Sequence, residues 1–124
     1  MSLCPCASGR PYADCCARPH GGEAAATADV LMRSRYSAYV LGLEDYLLAT
    51  WHPSTRPESL NLAEEAGTKW LGLEVRRHQQ QDERHATVEF VARYRVAGRG
   101  HRLHECSRFV REDGRWFYVD GDIK

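Results

Sequence analysis

Four of the five cysteines lie within the first sixteen residues, as the pair Cys4-x-Cys6 and, after eight intervening residues, the adjacent pair Cys15-Cys16. In an exported mini-domain such a cluster would be a disulfide framework. The chain opens without a basic and apolar leader, and adjacent cysteines rarely bridge each other without strain. We therefore expect a cytoplasmic protein with reduced thiols, and four thiolates at this spacing favour a tetrahedral Zn²⁺ site.

The predicted zinc site is structural rather than catalytic, because four thiolates close the coordination sphere and leave no position for a substrate. Residues 1–22 have few apolar side chains, so metal binding must supply the free energy that orders them. His20 is an alternative ligand. With four cysteines present, we expect it instead to be a solvated residue of a flexible connection at 19–22. The sequence thus predicts a zinc-binding motif at 1–22 and a main domain at 23–124.

The main domain reads as helices followed by strands, which is an α+β pattern. Apolar residues at helical spacing and the glycines and prolines beside them predict three helices, at residues 28–41, 43–51 and 57–66. Alternating apolar and polar residues with glycine-containing turns predict four antiparallel strands, at residues 73–79, 86–96, 103–111 and 115–120. In the first helix one stripe should face the core, formed by Val30, Ser34, Ala38 and Leu41.

The charge balance and the absence of some motifs argue against several functions. The 17 basic residues equal the 17 acidic residues in number, whereas a nucleic-acid-binding protein needs an excess of positive charge. No run of about 18 apolar residues is present, so we expect no transmembrane helix. The sequence also lacks a glycine-rich phosphate loop, a dinucleotide-binding fingerprint and an HExxH motif.

The cysteine-rich segment resembles the SEC-C zinc motif, which is named for the C-terminal tail of the bacterial translocation motor. Thirteen consecutive positions carry the resemblance: Cys4-Pro-Cys-Ala-Ser-Gly-Arg-Pro-Tyr-Ala-Asp-Cys-Cys16. One departure is Ala7, where the motif usually has glycine. Because this position lies in a tight turn, we expect a small conformational cost and no loss of the metal.

The resemblance extends along nearly the whole chain to the YchJ-like family of small bacterial proteins. The segments that carry it are Leu31-Met-Arg-Ser-Arg-Tyr-Ser-Ala-Tyr39, Thr50-Trp-His-Pro-Ser54, His104-Glu105, Ser107-Arg-Phe109 and Trp116-x-Tyr-Val-Asp-Gly121. The resemblance implies a SEC-C zinc knuckle followed by an NTF2-like cone, in which helices close the concave side of a bent antiparallel sheet. The family resemblance does not imply an activity, because such cones have many uses.

Polar residues of the main domain could line the pocket of such a cone. Four residues of the third strand point to one face: Leu103, Glu105, Ser107 and Phe109. Glu105 is a candidate base in these apolar surroundings, but we favour an ion pair with Arg33 or Arg35. His52 is a candidate general acid or base, but we favour a histidine that caps its helix through the backbone. Five aromatic residues form either core or cavity wall: Tyr36, Tyr39, Tyr46, Trp51 and Trp70.

These features favour a binding protein over an enzyme. The zinc knuckle would present Arg10, Pro11, Tyr12 and Arg18 to a partner protein. The resemblance supports this hypothesis, because SEC-C motifs of the translocation motor take part in contacts with partner proteins and the ribosome. The NTF2-like sheet could in addition form a homodimer. The alternative is a small enzyme or ligand-binding protein that uses the concave pocket.

Overall fold

The computed structural model describes residues 3–60 and 67–124. The N-terminal segment contains a 3-10 helix at Tyr12–Asp14 and a short helix α1 at Ala17–His20. The helices of the main domain are α2 (Ala28–Leu41) and α3 (Glu44–Ala49). They are followed by four strands: β1 (Thr68–Gln80), β2 (His85–Val96), β3 (Arg99–Glu112) and β4 (Arg115–Ile123). The predicted α+β order of helices and then strands is confirmed.

The strands form one antiparallel sheet in the order β1-β2-β3-β4. Ala97-Gly98 joins β2 to β3 and Asp113-Gly114 joins β3 to β4, and all four of these residues have positive φ. Two-residue turns of this kind match the right-handed twist of the strands that they connect. Register shifts in β1 and at the β3–β4 pairing bend the sheet. The result is the curved surface on which α2 lies.

The strands are longer than the sequence predicted. β1 begins at Thr68 rather than at residue 73, because its first residues pair with the end of β2 from Val96 backwards. β3 begins at Arg99, so the hairpin loop expected at 97–100 consists of two residues only. These extensions are held by backbone pairing, which the alternation of side chains does not reveal.

Helix α2 confirms the predicted bounds but not the predicted single buried stripe. Val30 and Leu41 are 36% and 46% exposed, whereas residues on two other sides of the helix are buried. One side packs on the sheet through Met32 and Tyr36, and another faces the N-terminal segment through Ser37. An amphipathic pattern with one apolar face does not describe a helix that is covered on two sides.

The structure contains a shorter form of the second predicted helix and does not support the start of the third. The second helix ends at Ala49 rather than at residue 51, because the backbone there joins the sheet. Tyr118 donates its N–H to the Thr50 carbonyl at 2.9 Å and accepts a hydrogen bond from the His52 N–H at 2.7 Å. Of the third helix predicted at 57–66, residues 57–60 are not helical, and residues 61–66 lie outside the described part of the chain.

The N-terminal segment shares one buried cluster with the main domain. Cys4, Cys6 and Cys16 pack in the same core as Leu31 and Tyr36 of α2. The connection at 19–22 is therefore not the flexible tether that we expected, since it includes the buried Pro19 and a carbonyl at Gly22 that accepts a hydrogen bond from Arg115. The domain boundary at residue 22 stays a prediction.

None of the helices in residues 3–60 and 67–124 has both the length and the apolar character that a bilayer crossing requires.

Candidate metal centre and central cavity

The four N-terminal cysteines come together at one point. The Sγ atoms of Cys4, Cys6, Cys15 and Cys16 all lie within 4.8 Å of one another. The Cys6 and Cys15 sulfurs are 3.5 Å apart, and those of Cys15 and Cys16 are 4.0 Å apart. All four thiols are free, and three of them are buried, with Cys15 partly exposed. Four soft donors gathered in this way are compatible with one tetrahedral metal ion.

Tight turns in the short segment bring the two cysteine pairs together. The Cys4 N–H donates to the Arg10 carbonyl at 2.9 Å, which folds the chain back on itself between the pairs. The Ala7 N–H donates to the Cys4 carbonyl at 3.2 Å, and Ala7 has a φ of 65°. This left-handed conformation is the small cost expected where the SEC-C motif usually has glycine. The 3-10 helix then leads into Cys15, whose N–H donates to the Tyr12 carbonyl at 3.0 Å.

Helix α2 supports the thiol cluster from the side of the main domain. The Ser37 hydroxyl lies 3.3 Å from the Cys16 sulfur and 3.5 Å from the Cys4 sulfur. Arg33 donates a hydrogen bond of 2.7 Å to the Cys6 carbonyl. Within the N-terminal segment itself, the Ser8 hydroxyl lies 3.1 Å from the Cys15 sulfur. Hydrogen bonds of this kind orient ligands and moderate the charge on thiolates.

His20 is neither a ligand nor a solvated residue. Its Nε2 donates to the Ser34 carbonyl of α2 at 2.8 Å, and its Nδ1 accepts a hydrogen bond of 2.7 Å from the Tyr12 hydroxyl. The bond to Ser34 holds the N-terminal segment to the main domain, and the bond from Tyr12 links two residues within the segment. The edge of the ring also packs against Tyr46. The prediction of a solvated loop histidine is wrong, because α1 turns the ring towards α2.

The electrostatics of the cluster favour a bound cation. Hydrogen bonds from Cys16 and Ser8 outweigh burial and lower the pKa of the Cys6 thiol to about 4. The same hydrogen bond to Cys6, together with burial, raises the pKa of the Cys16 thiol, and burial raises that of Cys15. One thiolate thus forms readily and makes further ionisation costly. A divalent cation among the sulfurs removes this penalty.

A second feature, a cavity of about 290 Å³, lies between α2 and the concave face of the sheet. The predicted face of β3 lines it, including Glu105 and Ser107. Most of the wall is aromatic. It includes four of the five aromatic residues that the sequence assigned either to the core or to a cavity wall: Tyr36, Tyr39, Trp51 and Trp70. The fifth, Tyr46, lies instead beside His20 and Ser34.

Two of the predicted pocket residues lie in this cavity, and two do not. Arg35 and Glu105 line it, whereas Arg33 reaches the Cys6 carbonyl on another side of α2. His52 points towards Glu112, with 2.9 Å between its Nε2 and the carboxylate, and its Nδ1 accepts a hydrogen bond from the Ser54 N–H. His52 thus bonds to a backbone N–H two residues further along the chain and does not cap its helix as we favoured, and it does not line the cavity.

The ion pair that we favoured for Glu105 is also not formed. Within residues 3–60 and 67–124, Glu105 has no arginine within ion-pair distance, and its carboxylate accepts a hydrogen bond from Ser107 at 2.5 Å. The carboxylate lies against Gly121 of β4, where a Cβ would come within 2.8 Å of the Glu105 Cδ. The sequence could not predict this contact, because it depends on the register of β3 and β4.

Comparison with known proteins gives the class of the chain. The SEC-C motif matches residues 2–18, and the family described as "YchJ, middle NTF2-like domain" matches residues 27–121.

Two solved SEC-C motif proteins have the same fold. A solution structure from Rhodopseudomonas palustris has a TM-score of 0.87 at 36% identity and covers 96% of each chain. A crystal structure from Psychrobacter arcticus has a TM-score of 0.83 at 31% identity and covers 100% of this chain and 84% of that one. The fold and the thiol cluster thus define a SEC-C motif joined to an NTF2-like domain.

Sequence relatives give the family. A UPF0225 protein from Bordetella parapertussis is 60% identical over 99% of this chain and 94% of its own length. A UPF0225 protein from Chromobacterium violaceum is 63% identical over 97% of this chain and 92% of its own length. The chain belongs to this YchJ-like, UPF0225 family, as the resemblance in the sequence indicated.

Replacing Ser37 by alanine should weaken metal binding about tenfold, because it removes the hydroxyl that contacts two of the sulfurs. The measurement is competition for Zn²⁺ with a chromophoric chelator. Ser34→Ala is the matched control, since Ser34 is equally buried in α2 but donates to Leu31 and contacts no sulfur. Equal Zn²⁺ affinities for the two variants would show that α2 does not tune the thiol cluster.

Replacing Ala7 by glycine should stabilise the metal-loaded protein by about 1 kcal/mol, because glycine adopts a positive φ without steric cost. Urea unfolding of the metal-loaded protein measures the change. Ala13→Gly in the 3-10 helix is the control, since Ala13 does not have a positive φ. It should be neutral or destabilising. A loss of stability on Ala7→Gly would contradict the strain that we assign to this turn.

Proposed function

We propose that the protein binds one structural Zn²⁺ through Cys4, Cys6, Cys15 and Cys16, and that the segment around the ion binds a partner protein. The observation that supports the zinc site most directly is the convergence of four free thiols within 4.8 Å. A tetrahedral ion with Zn–S bonds of about 2.3 Å places its ligands about 3.8 Å apart, close to the spacing of these sulfurs.

The proposed role of the zinc is to stabilise the conformation of the N-terminal segment. Four thiolates leave no open position for water or substrate, and burial of Cys4, Cys6 and Cys16 keeps solvent from the ion. The thiols must stay reduced to bind it, which is consistent with the cytoplasmic location that the sequence predicts. The ion would therefore fix the path of the N-terminal segment and take no part in a reaction.

The partner-binding surface is proposed on the side of the segment that faces away from α2. We call it the knuckle surface and define it by Leu3, Arg10 and Pro11. Leu3 is 66% exposed, forms a bridge with Pro11, and lies beside the exposed Arg10. An exposed apolar side chain next to an arginine is a combination that protein interfaces favour. Two of the residues first expected there are otherwise engaged, since Tyr12 bonds to His20 and Arg18 pairs with Glu23.

A second candidate function uses the central cavity. Its wall brings Arg35 and Glu105 together among aromatic rings, which supports the binding of a small molecule. Because His52 lies elsewhere, the cavity supports binding better than acid–base catalysis. The homodimer through the NTF2-like sheet stays a prediction.

Capture from a bacterial lysate tests the knuckle surface. The amount of a partner captured by a Leu3→Asp/Arg10→Glu variant should be at least tenfold lower than the amount captured by the unchanged protein. Quantitative mass spectrometry measures both amounts. Leu71→Asp/Arg99→Glu is the matched control, because Leu71 and Arg99 are also exposed but lie on the sheet. Both variants should retain their metal content, which separates loss of contact from loss of the fold.

The interaction proposal fails if the knuckle variant enriches the same proteins as the control, or if the unchanged protein enriches none. Neither result would touch the zinc site, which depends on the thiols alone. Loss of metal from the knuckle variant would contradict the placement of Leu3 and Arg10 on the outside of the segment.

A further inference from the structure

We propose that the central cavity binds a neutral, flat, bicyclic molecule that offers a carbonyl-type acceptor to Arg35 and an N–H donor to Glu105. This inference is independent of the metal centre and of the knuckle surface. The size of the cavity, its aromatic wall and the two opposite charges within it support this inference.

The volume and the wall select a flat molecule of two fused rings. An apolar cavity of about 150 Å³ holds benzene, and this cavity has about 290 Å³. Aromatic side chains form much of its wall, where Tyr36 and Tyr39 pack against Trp70 with ring centroids 5.6 and 5.9 Å apart. Aromatic walls favour a planar occupant, because offset and edge-to-face contacts add to the burial of apolar area.

Arg35 is a buried cation, and some of its N–H donors are available to a ligand. It is 6% exposed, and its Cζ lies 5.2 Å from the Trp51 ring and 4.7 Å from the Tyr118 ring. Nη1 donates to the Leu47 carbonyl at 2.8 Å and to the Thr50 hydroxyl at 2.6 Å. Within the described residues Nε and Nη2 form no hydrogen bond, although Arg35 lines the cavity. Nε and Nη2 therefore remain available to donate to an acceptor on a ligand in the cavity.

Glu105 supplies the opposite charge and the acceptor. Among residues 3–60 and 67–124, its carboxylate accepts one hydrogen bond, from Ser107, and its close approach to Gly121 fixes it in the wall of the cavity. A carboxylate accepts several hydrogen bonds, so capacity remains for a donor on a ligand. Arg35 and Glu105 both line the space without pairing with each other, so a ligand between them can meet both.

The two charges together disfavour a ligand that carries a charge of one sign only. An anion would gain from Arg35 but would be repelled by Glu105, and a cation would gain from Glu105 but would be repelled by Arg35. Both repulsions are strong in a cavity lined mainly by apolar atoms. Arg35 also occupies the place over Trp51 and Tyr118 that an aromatic cage would offer to a cation. A neutral molecule with an acceptor and a donor satisfies both residues without a charge penalty.

Three probes of similar size test whether the cavity prefers a neutral ligand to an anion or a cation. Quinolin-2-one is a neutral lactam with one N–H and one carbonyl, naphthalene-2-carboxylate is an anion, and 2-naphthylmethylammonium is a cation. Calorimetric titration of the full chain should give a dissociation constant for the lactam at least tenfold lower than for either ion. Equal binding of the three, or tighter binding of either ion, would overturn the proposal.

Variants locate the binding and assign the role of Glu105. Glu105→Gln should weaken lactam binding several-fold and strengthen naphthalene-2-carboxylate binding about tenfold, because it removes the repulsion and keeps Arg35. Glu89→Gln is the matched control, since Glu89 pairs with His104 on the opposite face of the sheet and should change neither affinity. An unchanged preference in Glu105→Gln would overturn the role of the paired charges.

Leu103→Trp fills the cavity from its wall and should abolish binding of all three probes. Persistent binding in a folded Leu103→Trp variant would place the probes elsewhere. Absence of binding by every probe at about 1 mM to the unchanged protein would overturn the proposal as a whole, and it would leave the metal centre unaffected.

Discussion

The packing of the thiol cluster against one side of α2 is the interaction on which the rest of this structure depends. The first twenty residues contain too few apolar side chains to form a core. They acquire one by placing three cysteines in the core of the main domain, where Ser37 and Arg33 meet them. Neutral thiols are buried readily, but thiolates this close together repel one another unless a cation lies among them. A metal ion bound among the thiols would therefore stabilise the same segment as the helix does.

Helix α2 joins the two candidate sites because residues a few positions apart point to different sides of it. Arg33, Ser34 and Ser37 face the N-terminal segment, whereas Arg35 and Tyr36 face the cavity. The helix thus forms a wall of the cavity and also packs against the thiol cluster. Its burial on both sides explains the serines within it, since their hydroxyls find partners at a carbonyl, a tyrosine and two sulfurs.

The parts of this structure that local patterns encode were predictable from the sequence. Cysteine spacing indicated the four thiols that come together, strand alternation identified the lining face of β3, and Gly42, with a φ of 74°, marked the end of α2. The contacts of Arg35 and Glu105 were not predictable, because they depend on where α2 crosses the sheet and on how β4 pairs with β3. A pattern of residue types does not contain that geometry. The role of Ser37 was missed for the same reason, although a serine inside an apolar stretch of helix is a signal of a buried polar partner.

X-ray absorption at the zinc edge, combined with metal analysis, tests the central claim most directly on protein purified without chelators. We predict one zinc per chain, surrounded by four sulfur atoms at about 2.3 Å. Disulfide bonds between these cysteines would contradict it, as would a zinc bound by nitrogen or oxygen. An N-terminal segment that stays ordered without any metal would contradict it equally.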